Sequence, residues 1–114
     1  MGLTPPAKLG ELSEMGGALL PEPEVYIVVY KLSWPEEKYT SLLELLKDSM
    51  DWMHYFPGMW IIIRRETLVD LAAMMRKRVI GNDWLLVLPA RGPGNGIMPN
   101  EAWEWLNTRL PNLW

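Results

Sequence analysis

Residues 51–65 read DWMHYFPGMWIIIRR. Pro57-Gly58 stands between two aromatic and β-branched runs, and the pair suits a tight turn because Pro presets φ and Gly supplies φ > 0. The stretch is therefore expected to be a β-hairpin with strands at 51–56 and 59–65. Its second strand carries Trp60-Ile61-Ile62-Ile63, too apolar for an edge open to water, and is placed in the middle of a sheet.

Before the hairpin, Val25-Tyr26-Ile27-Val28-Val29-Tyr30 lies within a strand expected at 24–31, without strict alternation, as befits a central strand. Tyr39, Leu42, Leu43, Leu46 and Met50 then recur at the spacing of one helical face, with Glu44, Lys47 and Asp48 on the solvated side. After the hairpin, Thr67 is a candidate N-cap, with Asp70 at the third helical position facing the positive end of the helix dipole. Leu68, Leu71, Ala72, Met75 and Val79 form the apolar stripe of this second helix, and Gly81 suits its C′ position. A last strand is expected at 83–89. A Gly-rich connector, Ala90 to Gly96, leads to a short helix at 101–109 capped by Asn100, with Trp103, Leu106 and Leu110 on one face.

The order strand–helix–hairpin–helix–strand is that of an α+β, ferredoxin-like βαββαβ domain with two helices on one sheet face, here followed by a short C-terminal helix. Its expected core is Tyr26, Val28, Leu42, Leu46, Trp60, Ile62, Leu71, Met75, Leu86 and Leu88. Residues 24–114 are assigned to this one domain. Residues 1–23, broken by Pro5, Pro6, Gly10, Gly16, Gly17, Pro21 and Pro23, are read as a flexible tail with at most a turn of helix at 8–15.

Composition narrows the function classes. The 114 residues carry a net charge of −3, giving no general attraction to nucleic acid or anionic membrane, so any nucleic-acid contact requires a local basic patch. There is no Cys, hence no disulfide, thiolate nucleophile or zinc ribbon, which fits a reducing cytoplasm. No apolar run reaches the ~20 residues of a membrane span, so no membrane partner is expected. The N-terminus lacks the pattern of a signal peptide. Seven Trp exceed what a core of this size readily encloses. Trp103, Trp105 and Trp114, or the edge of the last strand, are the expected contact of a homodimer. The alternative is that the last helix folds back over its own sheet.

No catalytic residue is assigned. His54 is the single histidine and is read as structural, since a nucleophilic triad or a zinc site needs more partners than it has. Asp48 and Asp51 are read as solvent-facing turn residues, so no metal or cofactor is expected. The loop RGPGNG lacks the GxxxxGK[ST] order of a phosphate loop. Lys31, Arg64, Arg65, Arg76, Lys77, Arg78 and Arg91 are the candidate nucleic-acid contacts, although a helix C-terminus by itself favours the cluster at 76–78.

The texture SLLELLK, then WMHYFPGMWII, an amphipathic helix and NDWLLVL resembles the SinR-like proteins. These are grouped by likeness with the CRISPR-associated ferredoxin-like nuclease-fold family. The resemblance spans residues 25–109 and implies a ferredoxin-like fold and a tendency to dimerise. In the wider family an Asp ends the first strand and serves metal-dependent phosphodiester cleavage; here that place is Lys31, which cannot ligate a hard cation. For the SinR-like group itself the resemblance implies no established activity, and the expected function is a non-catalytic ferredoxin-like domain that works as a homodimer in an interaction or nucleic-acid-associated role. The alternative is a metal-dependent nuclease with a different site that includes Asp83.

Overall fold

The computed structural model describes residues 22–110. Residues 1–21 of the expected tail at 1–23, and Trp114, lie outside them. Strand β1 (Glu24–Lys31) leads through a 3-10 turn at Glu36–Lys38 to helix α1 (Thr40–Lys47). The hairpin of β2 (Asp51–Phe56) and β3 (Met59–Arg64) follows, then α2 (Leu68–Arg76), β4 (Trp84–Pro89) and α3 (Asn100–Arg109). The four strands form one antiparallel sheet in the order β2-β3-β1-β4. The fold is α+β.

The hairpin turns where the sequence places it. Gly58 has φ +86°, and a Cβ there would sit 2.7 Å from the Tyr30 carbonyl oxygen, so both the conformation and the close approach require glycine. Its carbonyl accepts a hydrogen bond from the Tyr30 amide at 2.9 Å, which fastens the turn to β1.

Cross-strand register divides the sheet into two faces. Tyr26, Val28, Tyr30, Trp60 and Ile62 point to one, where Leu42, Leu45 and Leu46 of α1 and Leu71 and Met75 of α2 complete the main core. Val25, Met53, Ile61 and Ile63 point to the other and pack with Ala90 and with Ala102 and Leu106 of α3. The last helix thus folds back over its own sheet. Arg109 ties it down, donating through Nε at 2.9 Å and Nη2 at 2.6 Å to Asp51 Oδ2 on β2.

Eight of the ten expected core residues are buried. Leu86 and Leu88 are 54% and 37% exposed, and Leu85 and Val87 pack on the core in their place. Facing residues in a ladder share a side, and Tyr30 opposes Leu85 while Val28 opposes Val87. The helix-facing set of β4 is therefore the odd-numbered one. An uninterrupted apolar run had concealed this one-residue slip.

Other corrections are local. Helix α1 ends at Lys47, so Met50 joins the second cluster and Leu45 takes its place in the stripe. Helix α2 ends at Arg76 with Lys77 as its C-cap; Gly81 lies beyond, without a left-handed φ, so it is no C′ residue. Pro99 holds the N-cap position of α3, and Asn100 is its first helical residue, with no side-chain cap. Asp51, expected in solvent, is buried against Arg109. Thr67 caps α2 as its sequence indicates, Oγ1 accepting from the Asp70 amide at 3.2 Å.

Candidate functional site: the open edge of the sheet

Among the described residues β4 has a neighbour on one side only. The Ala90 amide donates to the Val25 carbonyl at 2.8 Å, so by the alternation of an antiparallel ladder Leu88, Leu86 and Trp84 also direct their backbone groups toward β1. Leu85, Val87 and Pro89 then direct theirs outward. Pro89, which has no N–H, occupies a place where that group would bond nothing in the sheet. The outward edge offers two amides, of Leu85 and Val87, and three carbonyls.

Two surfaces meet at this edge. On the face shared with α3, the helix covers only the half near Val25. Trp84 is 70% exposed and Val29 40%, and with Leu86 and Leu88 they form a continuous patch, because Leu86 opposes Val29 and Trp84 opposes Lys31. The Lys31 ammonium lies 5.2 Å from the Trp84 ring centroid, a cation–π contact. On the other face a groove of about 650 Å³ runs between β4 and α2, lined by Leu85, Leu86 and Val87 on one wall and by Ala72 and Arg76 on the other.

Asp83 holds the start of β4 in place. Its Oδ1 accepts from the Ser33 amide at 2.7 Å and the Tyr39 hydroxyl at 2.9 Å, and Oδ2 accepts from the Ile80 amide at 2.8 Å. Desolvation pushes this carboxyl's pKa up, but these hydrogen bonds outweigh it and set it below its ordinary value. With three donors engaged, Asp83 is a latch between the β1 exit and β4.

The basic residues occupy separate places. Arg64 is buried: it forms a two-pronged pair with Glu66 at 2.8 and 2.9 Å and donates to the Leu45 carbonyl and Ser49 Oγ. That pairing is the main reason the Glu66 carboxyl lies below its usual pKa. Arg65 is half-buried. Arg78 turns back to the Met74 carbonyl at 2.5 Å. Arg91, paired with Glu24 at 3.0 Å, stands at the opposite end of β1 from Lys31, roughly 23 Å away at the rise of a strand. Arg76 and Lys77 are exposed at the end of α2, and their side chains have no partner among the described residues. Trp103 and Trp105 are half-buried against the second cluster, Trp105 under the Arg109 guanidinium at 4.4 Å.

A second, smaller cleft of about 350 Å³ lies among Tyr30, Trp34, Glu36 and the Pro57-Gly58 turn. The Trp60 indole N–H donates to the Tyr30 hydroxyl at 2.9 Å, which donates to Glu36 Oε2 at 3.2 Å. Burial chiefly raises the Tyr30 pKa to about 12, so at neutral pH this group is a proton donor and no base. His54 stacks on Trp60 at 3.9 Å and its Nδ1 lies 2.9 Å from the Met59 carbonyl. A carbonyl only accepts, so Nδ1 carries the proton.

Sequence reasoning named the edge of the last strand but not its outward groups or the groove beside it. Pro89 held the signal: a proline within a strand marks the side that bonds nothing. Comparison of the chain with models of known protein families, with curated proteins and with solved structures found no match.

Proposed function

We propose that the chain is a non-catalytic interaction domain of ferredoxin-like type that works as a homodimer. The fold assignment is supported by two crossover helices on one sheet face and by a strand order with β1 and β3 in the middle. The likeness to SinR-like proteins belongs to the same proposal. The observation that carries the dimer is the contiguous exposed apolar patch of Trp84, Leu86, Leu88 and Val29, on one face and rimmed by Lys31. A twofold axis through it would set each patch against its copy, face to face.

The nuclease alternative has less support. Asp83 has its oxygens engaged by three donors, Asp51 is bonded to Arg109, and no group of three or more acidic or histidine side chains among the described residues is placed to hold a metal ion. A nucleic-acid groove has less support as well, since Arg64 is buried in its pair with Glu66 and Arg91 is paired with Glu24 at the opposite end of β1 from Lys31.

Sedimentation equilibrium at micromolar concentrations tests the dimer. The unaltered chain is expected to approach twice its 13.2 kDa mass, and Leu86→Glu to return it to the monomer while keeping the folded circular dichroism spectrum. A monomer mass that does not change with concentration rejects the reading.

A further inference from the structure

We infer that the groove between β4 and α2 receives an extended, acidic peptide segment of another protein, which adds to the sheet as a fifth strand. Two features of different kind converge there. The first is the backbone of β4: the Leu85 and Val87 amides and the carbonyls of Leu85, Val87 and Pro89 face outward, the hydrogen-bonding template that strand addition uses. The groove follows this edge for three consecutive residues, Leu85, Leu86 and Val87, and its far wall is a helix, so an added strand is gripped by the edge and roofed by α2.

The second feature is charge. Arg76 lines the groove at the C-terminal end of α2, Lys77 follows it, and neither side chain is neutralised by a described residue. The one carboxylate in the lining, Asp83, is occupied by the Ser33 amide, the Tyr39 hydroxyl and the Ile80 amide. An incoming carboxylate therefore meets the free Arg76 cation at this end and, in Asp83, an anion already solvated by the protein. The wall residues Ala72, Val79 and Leu85 offer apolar contact to alternate side chains of the peptide. The occupant that fits is an alternating apolar and polar segment ending in acidic residues. The face-to-face dimer proposed above uses the side chains of Trp84, Leu86 and Leu88 and leaves the edge groups free; Leu86, which also lines the groove, is the residue the two contacts share.

The test is fluorescence anisotropy of the full chain with a labelled peptide of alternating Val and Thr ending in two Glu. Binding is expected, with Arg76→Glu weakening it about 5–10-fold, the scale of one exposed charge contact reversed. The same peptide ending in two Lys should bind comparably more weakly. Val87→Pro removes an amide that bonds nothing in the sheet itself and should abolish binding while the sedimentation mass stays that of the unaltered protein. Should that variant fail to fold, a probe N-methylated along its backbone serves on the unaltered chain and is expected not to bind. Absence of binding, equal affinity for the Glu and Lys peptides, or tolerance of N-methylation overturns the inference. So does loss of the dimer in Val87→Pro, which would assign the edge to a second copy.

Discussion

Burial does most to set the behaviour of Tyr30; of its two hydrogen-bond neighbours, the Trp60 indole that donates to it pulls its pKa down and the Glu36 carboxylate that accepts from it pushes it up. Its pKa rises from 10.0 to about 12, so folding favours the neutral phenol. The stability this supplies is complete below pH 10.0 and lost as pH climbs through about 12. Tyrosinate absorbance at 295 nm should show a late ionisation in the folded protein that Tyr30→Phe removes. That variant leaves the buried Trp60 N–H without its acceptor and should cost about 1–3 kcal/mol in urea denaturation. At Gly58 the constraint is steric. Gly58→Ala combines a positive φ with a contact of 2.7 Å to backbone, and about 1–3 kcal/mol of destabilisation is expected, read from the same denaturation curves.

The register of β4 makes the strand two-sided, and a pair of substitutions exposes this. Leu85→Gln puts an amide against Tyr30 and the helices and should destabilise by about 1–3 kcal/mol, whereas Leu86→Gln, on the exposed side, should stay within about 0.5 kcal/mol when measured below the concentration at which copies associate. The reverse outcome would place the strand one residue out of step. Most strands and helices were legible in the sequence because their signals are local: Pro57-Gly58 for the turn, Thr67 for a cap, the helical recurrence of Leu42 and Leu46. The facing of β4 was not, since Trp84 to Leu88 is apolar at every position and only the partner strand fixes its parity. The docking of α3 over its own sheet stood in the sequence only as the alternative to a dimer contact. It depends on Arg109 meeting Asp51, 58 positions apart in the chain, and no local pattern announces such a pair. Arg109→Met should leave that carboxylate buried and unpaired, cost about 2–3 kcal/mol, and speed amide exchange in α3 ahead of α1 and α2.

At the scale of the whole molecule, two carboxylates among the described residues have a lowered pKa: Glu66, through its pair with Arg64, and Asp83 fasten opposite ends of the sheet to the helical layer and its loops. Their contribution is fully present above their ordinary values of 4.5 and 3.8 and disappears as pH falls through the lowered ones. The urea midpoint should therefore drop as the solution is acidified from about pH 5, and Asp83→Asn should flatten that slope. A flat profile in the unaltered protein would contradict the latch described for Asp83. The bond between the Ala90 amide and the Val25 carbonyl places the entry to β1 beside the exit of β4. A pull applied to the two ends of the described chain would first lift α3 from Asp51 and then part β1 from β4 one rung at a time, starting at this pair. Loaded in that peeling direction, the ladder never shares the force among its rungs, so a machine that unravels proteins from an end would meet little mechanical resistance whatever the thermodynamic stability of the core.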